Sequence, residues 1–225
     1  MTSLKGRLRE MKCQVGTLQR ADGSCSFSQG KTYLWASCSG PGDVHISRRN
    51  NDCLSLDVSF RKQDGDAAHH KLNDLIHSTL KHLVITNLFP RTCLMVTIHS
   101  LQDDGSLSAA ALTAAGFAVL DNAVPIRAPF CGVEVCRVNG ELIVDPDKRT
   151  EQKADATFVF AMVRTEDGEA QQVCSDSSGI FDVEEYEQAL SFAKSAAKEI
   201  FAFQKEIFQH KFTLDTFNTA SSGET

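Results

Sequence analysis

The sequence predicts an α+β fold in which groups of strands are separated by single helices. Strand-like alternation dominates before about residue 60, helical spacing of apolar residues follows, and the second half repeats this order. Since no linker-like stretch divides the 225 residues, we expect one domain spanning 1–225 with its core at about 12–211. Residues 213–225 are small and polar, which is typical of a disordered tail.

The first half predicts strands followed by one amphipathic helix. An Asp-Gly turn at residues 22–23 separates the first two predicted strands. Pro90 ends the connection between the predicted helix and the last of these strands. The predicted strands are 12–20, 24–39, 53–60 and 92–100. The helix is predicted over 67–85, where apolar residues recur three or four positions apart.

The second half predicts two helices around two strand pairs. The turn 103–105 is followed by Ser106, a predicted N-cap for an alanine-rich helix over 106–121. Such a helix start favours an anion near its free N–H groups. The predicted strands are 130–138, 142–145, 156–164 and 169–175. Residues 175–179 are interpreted as a turn, and Asp182 with Glu185 predicts a capping box for a final helix over 182–211.

Composition narrows the class of protein. The net charge of −6 and the pI of about 5.6 disfavour a free-standing RNA-binding module, which usually carries a broad basic face. The eight cysteines lie singly without a C-x-x-C pair, so we expect packed, reduced thiols in an intracellular protein. No apolar run approaches the roughly 20 residues of a membrane span, and the basic N-terminus lacks the apolar region of a secretory signal.

Several motifs in order resemble the RNase PH family. They begin with residues 22–32 (DGSCSFSQGKT) and 36–41 (ASCSGP). They continue through 104–106, 121–127 (DNAVPIR), 131–133, 143–146 and the long final helix. The resemblance implies an RNase PH-like domain of two βα halves, the ribosomal protein S5 domain 2-like fold. The short, ungapped form most resembles a ring subunit of the eukaryotic RNA exosome.

The resemblance also implies assembly and a cellular role. Family members pair head-to-tail, and three pairs close into a ring around a channel that admits single-stranded RNA. We therefore expect other RNase PH-like subunits as partners, RNA in the channel and no membrane association. A homodimer is an option for the isolated chain. The implied role is ribosomal-RNA processing and mRNA decay in the nucleus, nucleolus and cytoplasm.

The side chains that bind phosphate in active members of the family are missing at the start of the predicted helix 106–121. Active members cleave RNA by phosphorolysis, and a guanidinium with helix N–H groups holds the attacking phosphate. Their pattern after Asp-Gly is Gly-Thr-Arg-Thr, where this chain has Leu107 and Ser108 in place of the Thr-Arg pair. Active members also have basic residues on the first long helix, and this chain has Asp74 and Ser78 at those positions. We expect the phosphate site to be lost.

The acidic pair of active members is also incomplete. In an ungapped register these positions fall on Glu151 and Thr157, and a threonine cannot act as a carboxylate. Asp145, Asp147, Glu151 and Asp155 form an acidic run that could bind a divalent ion, although a solvated loop is the favoured interpretation. We predict no catalytic residue, no metal site and no cofactor.

Two further groups of residues have side chains that could bind RNA or a metal. Arg61 and Lys62, and less so Arg48 and Arg49, are candidates for RNA contact, although charge pairs of this kind are usually solvated surface. The remaining set is four histidines on or near the first long helix, which lack the i, i+4 spacing of a helical metal site: His69, His70, His77 and His82.

Three functional hypotheses remain from the sequence. The first is a non-catalytic exosome ring subunit that supports 3′–5′ RNA processing and degradation by building the RNA channel. The alternative is an RNase PH-like nuclease that is active as a homodimer, either phosphorolytic or dependent on a divalent metal through Glu151. A free-standing RNA-binding module is the third, and the acidic pI disfavours it.

Overall fold

The computed structural model describes residues 7–43, 50–62 and 70–222, with side chains as far as Thr213. Within these ranges the strands are β1 (Met11–Val15), β2 (Gly23–Gln29), β3 (Thr32–Asp43), β4 (Ser55–Lys62), β5 (Thr92–Gln102), β6 (Phe130–Val138), β7 (Glu141–Val144), β8 (Ala156–Arg164) and β9 (Ala170–Gly179). The helices are α1 (His70–Leu83), α2 (Leu107–Asn122), α3 (Lys148–Glu151) and α4 (Val183–Ser222). The predicted α+β class is confirmed. The predicted helix start near residue 67, His69, Arg48 and Arg49 lie outside the described residues.

The first sheet contains five strands in the order β1-β2-β3-β5-β4. Its neighbours are antiparallel except for β4 and β5, which are parallel. A parallel pair needs a crossover connection, and α1 supplies it between these two strands. The predicted amphipathic face of α1 is buried, including Leu72, Ile76 and Leu80. Burial of this face fixes α1 over the sheet.

The second sheet is an antiparallel set of four strands in the order β7-β6-β8-β9. The predicted hairpin between β6 and β7 is confirmed, because Asn139 and Gly140 both have positive φ, at 51° and 79°. The predicted bounds of β6 and β8 match the observed strands. Helix α4 packs on this sheet and buries Ala193, Ala197 and Ile200.

Helix α2 lies between the two sheets and contacts strands of both. Its residues are buried on every side from Ala109 to Val119, as expected for a helix surrounded by protein. The close approach of α2 to β6 depends on glycine residues, which have no Cβ. A Cβ on Gly116 would lie 2.5 Å from the carbonyl oxygen of Phe130, and one on Gly132 would lie 2.4 Å from that of Ala109. Small residues on both elements therefore set the distance between helix and strand.

Several predicted boundaries were wrong for local reasons. The single strand predicted over 24–39 is two strands, since Gly30 adopts φ +60° and reverses the chain between Gln29 and Thr32. The turn predicted at 175–179 is instead the end of β9, where β8 supplies backbone partners for these polar residues. The short helix α3 was not predicted. The Asp147 side chain caps it by accepting from the backbone N–H of Thr150 at 2.9 Å.

Helix α4 continues to Ser222, beyond its predicted end near residue 211 and into the tail that was expected to be disordered. The sequence has no Gly or Pro between residues 183 and 222 to stop the helix. Its start agrees with the predicted capping box, because the Glu185 carboxylate accepts from the backbone N–H of Asp182 at 3.0 Å.

The eight cysteines are free thiols; five are buried and three are partly buried. Among the described helices, none combines the length and the apolar character that crossing a membrane would require.

Candidate functional site

The turn before α2 is held by Thr32 of the first sheet. The Thr32 hydroxyl donates to the carbonyl of Gly105 at 2.8 Å and accepts from the backbone N–H of Asp104 at 3.0 Å. Gly105 has φ +93°, and a Cβ there would lie 2.5 Å from backbone atoms of Asp147 and Lys148. The turn and the start of α3 therefore pack backbone against backbone.

Ser106 does not cap α2 as predicted. It has the left-handed φ of 50°, its side chain makes no capping hydrogen bond, and its hydroxyl donates to the carbonyl of Pro146 at 3.0 Å. The backbone N–H of Ser106 lies near the carboxylate of Glu151 and stabilises its charged form. A carboxylate of the chain itself thus lies at the helix start, where an anion is favoured.

Burial raises the pKa of Glu151, and the negative charge of Asp103 raises it further. The backbone N–H of Ser106 and the cations Lys148 and Arg9 oppose this shift. Of the two predicted acidic positions, Glu151 is therefore the one that lies at the start of α2.

Asp103 binds two lysines at the edge of the site. Its Oδ2 accepts from the ammonium group of Lys62 at 3.1 Å and from that of Lys148 at 2.8 Å. Partial burial of Asp103 opposes its ionisation, but the hydrogen bonds from Lys148 and Lys62 outweigh this effect and hold the pKa of the carboxyl below its usual value. Both lysines near the helix start are therefore paired with a carboxylate of the chain itself.

Arg9 and Asp145 form a second, largely buried ion pair beneath the turn. The guanidinium of Arg9 donates to Asp145 Oδ1 at 2.7 Å, and the backbone N–H of Arg9 donates to Oδ2 at 2.8 Å. The same guanidinium also donates to the carbonyls of Asp104 and Gly105, at 2.9 and 3.1 Å. Arg9 was not among the sequence candidates because no motif marks it.

Glu134 of β6 is a further acid that the sequence candidates omitted. It is 4% exposed, and burial together with the nearby charges of Glu151 and Asp145 raises its pKa to about 8, against an opposing effect of Arg9. The available signal was a single acid inside the apolar strand 131–136 (CGVEVC).

An open groove with a volume of about 390 Å³ lies beside the first residues of α2. It is lined by Leu107 and Ser108 together with His70, Lys71 and Asp176. The two positions predicted to have lost the phosphate-binding side chains therefore do face a cavity.

A neighbouring groove of about 420 Å³ shares Lys71 and Asp176 with the first, and Asp74 and Ser78 line it. The structure thus brings four predicted positions to one surface between α1, α2 and β9: Asp74, Ser78, Leu107 and Ser108. Lys71 was missed, although it lies one helical turn before Asp74 on the same face.

Thr157 makes different contacts from Glu151. Its hydroxyl lies 2.8 Å from that of Ser178 on the neighbouring strand β9. Arg61 and Lys62 also separate, because alternate residues of a strand point to opposite faces. Lys62 reaches Asp103, whereas the exposed Arg61 donates to Ser59 on its own face at 3.4 Å.

The four carboxylates of the acidic run do not converge on one point, and each has different surroundings. Asp145 binds Arg9, Asp147 caps α3, Glu151 lies near the backbone N–H of Ser106, and Asp155 is exposed. Among the residues that the structure describes, no group of three or more His, Cys, Asp or Glu is arranged to hold a metal ion. Of the histidines on α1, His70 lines the groove beside Lys71.

The fold and the groove beside α2 place the chain in a defined class. The model of the 3′ exoribonuclease family, domain 1, matches residues 7–125, and that of domain 2 matches residues 128–196. The chain therefore belongs to the 3′ exoribonuclease family, also called the RNase PH family.

Individual members of the family show which proteins this chain is similar to. The chain is 43% identical over 212 residues to the exosome complex component RRP46 homolog of Caenorhabditis elegans, covering 94% of this chain and 99% of the relative. The crystal structure of rice Rrp46 has a TM-score of 0.84 at 22% identity, covering 90% and 96% of the two chains, which supports the fold. The crystal structure of C. elegans cell-death-related nuclease 5 has a TM-score of 0.69 at 36% identity, covering 93% and 100%.

Proposed function

We propose that this protein is a ring subunit of an RNA exosome that supports 3′–5′ RNA processing and degradation without phosphorolytic activity of its own. The observation that carries the proposal is the 43% identity to an exosome complex component over almost the full length of both chains. The proposed partners are other RNase PH-like ring subunits, with RNA passing through the channel that they form together.

The charges around α2 support the non-catalytic part of the proposal. Phosphorolysis requires a free cationic group to hold the attacking phosphate next to the phosphodiester. Here Leu107 and Ser108 carry no charge, Lys62 and Lys148 both pair with Asp103, and the carboxylate of Glu151 lies near the helix start. Lys71 is the cation that lines both grooves, and Asp74 and Asp176 line the second groove with it.

The enzymatic part is tested by incubating the purified chain with single-stranded RNA in phosphate buffer. We expect the RNA to stay intact and no nucleoside diphosphate to form. Phosphate-dependent release of nucleoside diphosphates would contradict the proposal. Recovery of a tagged chain followed by mass spectrometry tests assembly separately, with other RNase PH-like subunits expected and their absence counting against a ring.

The proposed locations are the nucleus, the nucleolus and the cytoplasm, where exosome substrates are processed and degraded. Imaging of a fluorescently tagged chain measures this directly. We expect nucleolar enrichment together with signal in the cytoplasm, and confinement of the chain to one compartment would contradict the proposal.

A second candidate function is a divalent-metal-dependent or phosphorolytic nuclease that acts as a homodimer. The observation that favours it is the 36% identity to a protein described as a cell-death-related nuclease. Its test is cleavage of single-stranded RNA and DNA in Mg²⁺ or Mn²⁺ by the wild type and by Glu151→Gln, with Glu166→Gln as an exposed control. Cleavage that only Glu151→Gln abolishes would establish this candidate over the first.

A further inference from the structure

The outer face of the first sheet carries the only tryptophan of the chain. Trp35 on β3 is 40% exposed, and its indole N–H donates to the hydroxyl of Tyr33 at 2.9 Å. The two rings meet edge to face with centroids 6.5 Å apart. The pair holds an aromatic surface in place on an open sheet, where burial does not explain the choice of tryptophan.

Basic side chains extend this surface across two further strands. Trp35 lies directly opposite His99 of β5, and His99 lies opposite Arg61 of the edge strand β4. Residues directly opposite one another point to the same face of a sheet, so the three form one row. His99 and Arg61 are exposed, and Arg61 folds over Ser59 of its own strand.

The rest of the face is mostly hydroxylic. Ser26 and Ser28 of β2 lie opposite Trp35 and Tyr33, and Ser37 lies opposite Thr97. Among the described strand residues, the charges on the face beyond the central row are Lys12 of β1, which pairs with Glu10 at 3.3 Å, and Asp57 of β4. Met95, opposite Asp57, is 50% exposed.

We propose that this outer face binds single-stranded nucleic acid, with a base stacked on Trp35 and a phosphate held by Arg61. An exposed indole stacks on any base, and a nearby guanidinium complements the phosphate backbone. Serine and threonine hydroxyls on neighbouring strands supply hydrogen bonds to phosphate and sugar. An aromatic ring and a positive charge in one row therefore favour single-stranded nucleic acid as the ligand of this face.

This surface is separate from the groove beside α2. Lys62 points to the opposite face and binds Asp103, whereas Arg61 remains with His99 and Trp35. The proposal therefore extends the proposed function to a second contact with nucleic acid, and it holds or fails independently of ring assembly and of phosphorolysis.

Because Trp35 is the only tryptophan, its fluorescence reports on this face alone. The full-length chain is titrated with a short oligoadenylate and with its DNA equivalent at several salt concentrations. We expect quenching of the tryptophan emission on binding, since a stacked base lies against the indole. A titration that leaves the emission unchanged while anisotropy of a labelled oligonucleotide reports binding would overturn the proposal.

Variants separate stacking from charge. Trp35→Leu should weaken binding about tenfold, within the range for loss of one stacked base, whereas Trp35→Phe should retain most of the affinity. Arg61→Gln should lower the magnitude of the salt dependence by about one phosphate contact. Arg164→Gln, an exposed arginine at the end of β8 in the second sheet, serves as the matched control and should leave binding unchanged.

A second copy of the chain is the competing occupant, and the same reporter detects it. Self-association would shift the tryptophan emission to the blue as protein concentration rises without nucleic acid. Such a shift, together with sedimentation of the wild type as a dimer and of Trp35→Leu as a monomer, would overturn the proposal. Equal affinity of wild type, Trp35→Leu and Arg61→Gln for the oligonucleotide would also overturn it.

Discussion

Arg9 contacts Asp145 twice, through its backbone N–H at 2.8 Å and through its guanidinium at 2.7 Å. The two residues are 136 positions apart in the sequence, and the Asp145 side chain is 2% exposed. The pair therefore joins the N-terminal segment to the segment between β7 and α3, directly beneath the turn that begins α2.

Asp145→Asn should lower the free energy of unfolding by about 2–3 kcal/mol, because it removes the charge that balances the largely buried Arg9. Asparagine tolerates the positive φ of 54° at this position, so the effect reports the lost charge rather than backbone strain. Chemical denaturation measures it. Asp167→Asn, at an exposed turn, is the control and should change stability by less than about 0.5 kcal/mol.

The buried acid Glu134 should make stability depend on pH. Its folded pKa of about 8 exceeds the ordinary value of 4.5, so the folded state keeps a proton that the unfolded state has lost between these two pH values. The free energy of unfolding should therefore fall as pH rises from about 5 to 8.

Glu134→Gln tests this directly, because glutamine stays neutral at every pH. Relative to wild type, the variant should gain on the order of 2–4 kcal/mol between pH 5 and pH 8 in denaturation series. Glu166→Gln, an exposed control, should follow the wild-type pH profile. Parallel profiles for wild type and Glu134→Gln would show that Glu134 is ionised in the folded protein.

Gly105 and Gly140 allow steric crowding to be separated from backbone strain. Both have positive φ, but a Cβ on Gly105 would meet backbone atoms at 2.5 Å, whereas one on Gly140 meets nothing within 4 Å. Gly140→Ala should cost about 1 kcal/mol of stability from backbone strain alone. Gly105→Ala should cost about 3 kcal/mol or more, since backbone atoms cannot move aside. Thermal unfolding compares the two, and equal costs would contradict the packing of the turn against α3.

Restoring the Thr-Arg pair should create a phosphate site. In the double variant Leu107→Thr, Ser108→Arg, a guanidinium enters the groove that Lys71 already lines. Phosphate at about ten times its Kd should raise the Tm of this variant by about 3–6 °C and leave wild type unchanged. Ser195→Arg, exposed on α4, is the control for added charge. A phosphate-dependent rise in wild type would show that the native site still binds the anion.

Local pattern predicted the elements whose signals are contained within a few residues. The strands β6 and β8 and the helix α2 match their predicted bounds closely, since alternation and helical spacing are local properties. The predicted strand over 24–39 failed where one glycine reversed the chain at Gly30. Helix α4 ran past its predicted end because the polar residues after 211 contain no residue that stops a helix.

The sequence by itself determined the α+β class, the family resemblance and the absence of the Thr-Arg pair at Leu107 and Ser108, because each follows from residue types and their order. Only the tertiary structure decided which charges meet at the start of α2. Asp103 holds both Lys62 and Lys148, and Glu151 lies near the backbone N–H of Ser106. Such pairings join segments that are distant in the chain, and their geometry depends on packing between strands and helices, which no local pattern encodes.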